Sequence, residues 1–122
     1  MARIIIIIDD DDVLREILAR MLTEAGHNVT ATANGFEGVQ AFRAEPADLI
    51  LTDIMMPYGG LPTIRVLRGE FPNLKIIAMS GGGQPRLDMA KGLGADRSLA
   101  KPFTSKLLFD AISEVLPANP SP

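Results

Sequence analysis

The chain has 122 residues, 47% of them hydrophobic and 22% charged, with a formal net charge of −3 and no cysteine. That length suffices for one domain with a real hydrophobic core, so neither disulfides nor a structural metal are needed to hold it together. The charge balance provides no electrostatic footprint for nucleic acid or for an anionic membrane, and the lack of cysteine excludes Cys-based zinc sites and fits a reducing compartment, with the cytoplasm as the default.

The β-branched run Ile4 to Ile8 has no polar alternation, which predicts a strand buried on both faces, as in a parallel sheet covered by helices. It is too short, and too acidic at its end, for a secretion signal. Val13, Leu14, Ile17, Leu18, Met21 and Leu22 then repeat at helical spacing, and Gly26 supplies a stop. A short second strand is expected over Val29 to Ala33. Asn34 followed by Glu37 resembles a capping box for a second helix that carries Phe36, Val39 and Phe42, closed by Pro46.

Leu49 to Leu51 predict a third strand, and Ile64 with Leu67 a third helix ending near Gly69 to Pro72. Ile76 to Met79 predict a fourth strand, and a weaker helix follows over about Arg86 to Leu93, where Gly92 and the neighbouring Gly94 lower helix propensity. Ser98 to Ala100 give a brief last strand. Phe103, Leu107, Leu108, Ala111, Ile112 and Val115 mark a final amphipathic helix. No stretch approaches the ~20 apolar residues that span a bilayer. The tail from Pro117 to Pro122 reads as a linker or a disordered end, which suits either a whole regulator or a domain of a longer chain.

Strand alternating with helix five times predicts right-handed crossovers and a doubly wound parallel α/β sheet with helices on both faces. Ligands of such a sheet bind at the carboxyl ends of its strands. Under that layout Asp9, Asp10, Asp53, Ser80 and Lys101 reach one edge from distant parts of the sequence. Two unit charges ~4 Å apart at an effective dielectric of ~20 interact by roughly 4 kcal/mol, so acids crowded there need something positive among them. An oxygen-only donor set suits a hard cation such as Mg²⁺. Lys101 offers a second positive charge and Ser80 a hydroxyl donor. A carboxylate in those surroundings can act as a nucleophile toward phosphorus, forming and hydrolysing an aspartyl phosphate.

Here the sequence resembles the receiver domains of bacterial two-component response regulators, from Ile4 to about Leu116. The matching stretches are Ile8-Asp9-Asp10, Leu51 to Pro57 around Asp53, Ala78 to Gly81 around Ser80, and Lys101-Pro102-Phe103. The resemblance implies a flavodoxin-like strand order 2-1-3-4-5, a receiver domain over residues 1–116 and a Pro-rich tail or linker over 117–122. It implies that Asp53 accepts the phosphoryl group, with Mg²⁺ held by Asp10, Asp53 and the backbone carbonyl of Met55 and assisted through water by Asp9. Ser80 and Lys101 would contact the phosphoryl oxygens, and the Lys101–Pro102 peptide would be cis. The chain would then be a signalling domain that catalyses only its own phosphorylation and dephosphorylation. Its partners would be a sensor histidine kinase or histidine phosphotransfer protein and, after phosphorylation, a second copy of itself, with neither nucleic acid nor membrane bound directly.

Three features depart from the family pattern. The loop Pro57 to Pro62 is one residue shorter, glycines follow Ser80, and Ser98 stands where an aromatic ring is often found. Two other readings stay open. Asp9-x-Asp11-x-Val13, with Ser80 and Lys101, is similar to motifs of haloacid-dehalogenase-type phosphatases, where Asp9 would be the nucleophile and Asp11 the acid/base. The chain could also be a receiver-like module that binds partners without turning over phosphate. Asp11 and Asp12 otherwise read as solvated or helix-capping acids, His27 as structural or solvated, and the methionines as packing.

Overall fold

The computed structural model describes residues 3–54, 60–81 and 84–116. Strands and helices alternate as β1 (Ile4–Ile8), α1 (Asp12–Glu24), β2 (Asn28–Thr32), α2 (Gly35–Ala44), β3 (Leu49–Asp53), α3 (Gly60–Glu70), β4 (Lys75–Ser80), α4 (Gln84–Leu93), β5 (Arg97–Ala100) and α5 (Ser105–Val115). All strand pairs are parallel, and the sheet order is β2-β1-β3-β4-β5. The fold is the flavodoxin-like architecture expected from the alternation and the resemblance.

Side chains alternate across a strand, so the unbroken apolar runs serve two cores. Ile5 and Ile7 join Leu49, Leu51, Ile77 and Met79 beneath α1 and α5, where Leu18, Leu22, Leu108 and Ile112 cover them. Ile6 and Ile8 point the other way, with Ile50, Ile76 and Ala78 against Phe42, Ile64, Leu67 and Ala90 of α2, α3 and α4. Each fully buried Ile or Leu contributes roughly 1.5–3 kcal/mol, and a charge placed at any of these β1 positions would have no partner on either face.

The helix starts follow capping chemistry. Asp11 Oδ1 accepts from the backbone N–H groups of Val13 and Leu14, and Asn34 Oδ1 accepts from Glu37 N. Glu37 reaches back to accept from Ala33 N, so Ala33 belongs to the cap and β2 ends at Thr32, one residue before the expected boundary. Gly26 ends α1 at φ +97°, a conformation that favours glycine.

Phe36 departs from expectation: it is 70% exposed. The face of α2 that meets the sheet is set by Gly38 and Phe42, and Phe36 lies about 200° around the helix from Gly38 at ~100° per residue. Gly38 fits because a Cβ there would lie 2.3 Å from Ile8 Cδ1. Val13, Ile17 and Leu107 share apolar periodicity with buried neighbours yet are also exposed. Phe103 precedes α5, whose cap is Thr104.

Candidate functional site

Parallel pairing brings every strand's carboxyl end to one edge. Ile8 is level with Thr52 across β1 and β3, which sets Asp9 beside Asp53. Asp53 pairs with Met79, and Ser80 with Ala100, which brings Ser80 and Lys101 to the same height. Asp9 and Ser80 are fully buried and Asp53 is 5% exposed.

Lys101 bridges the two buried acids. Its Nζ donates to Asp53 Oδ2 at 2.9 Å and to Asp9 Oδ2 at 3.2 Å. Its backbone N–H donates to the carbonyl of Ser80 at 2.8 Å, which locks the end of β4 to the start of the next turn, and the Lys101–Pro102 peptide is cis. Burial opposes the charge on Lys101, but its hydrogen bond to Asp53 and its attraction to Asp9 and Asp53 prevail and raise its pKa above the ordinary 10.5. Lys101 is therefore the positive charge that the crowded acids required, and it stays charged across the neutral range.

Burial pushes the Asp9 carboxyl above its usual value. The hydrogen bond from Asp11 N and the charge of Lys101 pull it down, while the charge of Asp53 pushes it up. Its Oδ1 accepts from Asp11 N at 2.9 Å, so both oxygens are engaged. Asp10 is exposed, yet one carboxylate oxygen from each of Asp9, Asp10 and Asp53 lies within 4.8 Å of the other two. Mg²⁺ binds oxygens at about 2.1 Å, so two opposite ligands sit roughly 4.2 Å apart. Three carboxylate oxygens gathered within 4.8 Å of one another are near enough to share such an ion once drawn closer, and the all-oxygen donor set suits it. The Met55 carbonyl lies outside the described residues, as do Gly82, Gly83 and the tail from Pro117.

The sites named from sequence at Asp9, Asp10, Asp53 and Lys101 thus come together, with Ser80 on the same edge. Arg15 is one residue that sequence reasoning passed over: its Nη1 donates to the backbone carbonyl of Asp9 at 2.8 Å. A cation one turn into a helix that follows four acids was the available signal. The dehalogenase-type roles do not fit. Asp11 caps α1 instead of facing the cluster, and Asp53, unused in that reading, stands beside Lys101.

Comparison with known proteins agrees with this geometry. The family model described as the response regulator receiver domain matches residues 5–113. The transcriptional regulatory protein CseB of Streptomyces coelicolor is 35% identical over 115 residues, which cover 92% of this chain and 48% of that protein. The chain thus spans about half the length of that relative. The chemotaxis protein CheY of Halobacterium salinarum is 31% identical over 120 residues, covering 97% of this chain and 100% of the relative. Among solved structures, the response regulator TrrA of Thermotoga maritima, crystallised with Mg²⁺ and BeF, superposes with a TM-score of 0.85 at 29% identity and covers 93% of this chain and 99% of that one.

Proposed function

The chain belongs to the response regulator receiver domain family of two-component signalling, and from that premise we propose that it is switched by phosphorylation of Asp53. The observation that carries this reading is the single Lys101 ammonium shared by Asp9 and Asp53 at 3.2 and 2.9 Å. It holds a buried carboxylate ready beside a fixed cation at the edge of the sheet.

An Asp53 oxygen attacks the phosphorus of a phosphohistidine donor, forming a P–O bond as the P–N bond breaks and the departing imidazole takes up a proton. Lys101 turns one N–H from the carboxylates to a phosphoryl oxygen, and the hydroxyl of Ser80 donates to another; both are charge-assisted hydrogen bonds. Asp10, Asp53 and the carbonyl of Met55 would hold Mg²⁺, with Asp9 acting through water. When bound, the ion neutralises charge on the phosphoryl oxygens. Water later cleaves the P–O bond, releasing phosphate and restoring the carboxylate.

The donor would be a sensor histidine kinase or a histidine phosphotransfer protein, and the cytoplasm the compartment. No helix among the described residues is long and apolar enough to cross a membrane. Residues 1–116 would form the receiver unit and 117–122 a linker. The exposed Val13 and Ile17, with Pro102 and Phe103, line a cleft of about 360 Å³ that runs up to Lys101, a suitable place for a donor protein to present its histidine.

Incubation with Mg²⁺ and a small phosphodonor, followed by peptide mass mapping, tests the reading. One hydroxylamine-labile phosphoryl group is expected on Asp53, abolished by Asp53→Asn. A label that survives Asp53→Asn, or that is lost instead through Asp9→Asn while Asp53→Asn is still labelled, overturns it. The absence of any label in the wild type favours a partner-binding module without phosphate turnover.

A further inference from the structure

We infer that Arg15 is a positioning residue for the cation site, fixing the peptide from which Asp10 projects; the inference rests on the Mg²⁺ reading above. The Arg15 side chain is 21% exposed and uses both ends of its planar fork. Nη1 donates to the backbone carbonyl of Asp9 at 2.8 Å, and Nη2 donates to the carboxylate of Asp12.

The Asp9 carbonyl is part of the peptide that joins Asp9 to Asp10. Holding its oxygen fixes that peptide plane, and with it the direction in which Asp10 leaves the end of β1. The rest of the turn is pinned as well. Asp9 N donates to the Thr32 carbonyl, Asp11 N donates to Asp9 Oδ1, and Arg15 N donates to the Asp11 carbonyl. Arg15 supplies the hydrogen bond from side chain to the Asp9 carbonyl, and it does so from a rigid element, because Leu18 and Leu22 anchor α1 in the core.

Charge alone would predict the opposite effect. A cation beside three acids repels Mg²⁺, so a purely electrostatic Arg15 would weaken metal binding and its removal would strengthen it. The Asp12 partner, an exposed carboxylate paired with Arg15 one turn apart, and solvent screening both weaken that repulsion. What remains is geometry. Loss of a group that orients a ligand typically lowers metal affinity 10–100-fold.

The test compares wild type, Arg15→Met and Arg15→Lys by calorimetric titration with Mg²⁺ and by metal-free amide hydrogen exchange. About a 10-fold weaker affinity in Arg15→Met is expected, with faster exchange confined to the amide of Asp11, which donates to Asp9 Oδ1. Arg15→Lys, which keeps the charge but can meet only one of the two partners, is expected to lie between wild type and Arg15→Met, and it carries the test if the methionine variant does not fold. Unchanged or tighter Mg²⁺ binding in the variants overturns the inference, as does loss of protection spread over the whole sheet with affinity retained. If the wild type itself binds no Mg²⁺, the failure belongs to the metal reading, and the role of Arg15 falls with it.

Discussion

Lys101→Met removes the one ammonium shared by two buried carboxylates while keeping most of the apolar stem. Deleting one partner of a buried ion pair typically costs 3–5 kcal/mol. Two observations place this case at the lower end: Asp9 keeps its hydrogen bond from Asp11 N, and the Lys101 side chain is 20% exposed, so water reaches the gap. A loss of about 3 kcal/mol corresponds to roughly 12 °C in Tm for a domain of this size.

That loss depends on pH in a definite direction. Burial already raises the Asp9 pKa above its ordinary 3.8, and without Lys101 it rises further. Between the unfolded and the folded value the folded form binds more protons, so the stability this provides is complete below the unfolded pKa and disappears as pH rises through the folded one. Removing Lys101 extends that window upward, so the penalty grows with pH. Urea unfolding of both proteins without divalent metal, at about pH 5 and about pH 8, measures it. Added Mg²⁺ is expected to stabilise the variant more than the wild type. A penalty below about 1 kcal/mol, far under the usual cost of breaking a buried pair, or one equal at both pH values, would refute the reasoning.

Asp10→Ala should weaken Mg²⁺ binding at least 10-fold by calorimetry, since Asp10 supplies one of the three clustered oxygens. Its metal-free stability should change by under about 0.5 kcal/mol, because the group is exposed and screened, and wild-type affinity in the variant would contradict the ligand assignment. His27 Nδ1 accepts from Arg3 N at 3.2 Å, and burial, aided by the charge of Arg3, lowers its pKa from the ordinary 6.5. The unfolded chain then binds the proton more readily, so stability falls as pH drops from about 6.5 through the folded value. His27→Gln should flatten that slope in chemical denaturation, and parallel curves for the two proteins would exclude the effect.

The central strands β1, β3 and β4 were legible because they are covered on both faces and carry apolar runs, whereas the edge strands β2 and β5 are largely exposed or half-buried and include Asn28, Thr30, Arg97 and Ser98. Ile4 to Ile8, followed by the buried Asp9 and then the exposed Asp10, Asp11 and Asp12, is the plainest instance. The site followed from the same rule, since a parallel sheet collects all its strand ends on one edge. Other features depend on direction around a helix axis or on tertiary reach. Phe36, Val13 and Ile17 fall in apolar repeats wider than the stripe that is buried, and only the seating of Gly38 against Ile8 or of Leu18 and Leu22 in the core decides which members face inward. Arg15 was passed over because, although four acids precede it, its partner at the site is a backbone carbonyl, and every residue presents one. Arg68 was silent for the same reason: its guanidinium donates to the carbonyls of Pro72, Leu74 and Gly94 as well as to Asp96.

The Arg68 contacts bear on how a charge change at Asp53 could be felt elsewhere. α5 buries Leu108, Ala111, Ile112 and Val115, whereas the buried side chains described in α4 are Leu87 and Ala90. One leucine and one alanine contribute a few kcal/mol at most, so α4 buries less apolar side chain than α5. Its C-terminal end is nonetheless fixed. The Gly94 carbonyl accepts from Arg68 Nε and Nη2 at 3.0 and 2.7 Å, and Gly94 itself adopts φ +124° with Arg68 packed where a Cβ would go. This anchor lies at the amino-terminal edge of the sheet, opposite Asp53, while the other end of α4 begins at Gln84, on the side of the sheet where β4 ends at Ser80. Ser98 of β5, level with Ala78 of β4, has no ring to move in response, so a charge change at Asp53 is expected to appear as altered amide exchange in α4, at the end away from the Arg68 anchor, more than in β5; equal changes in both elements would exclude this.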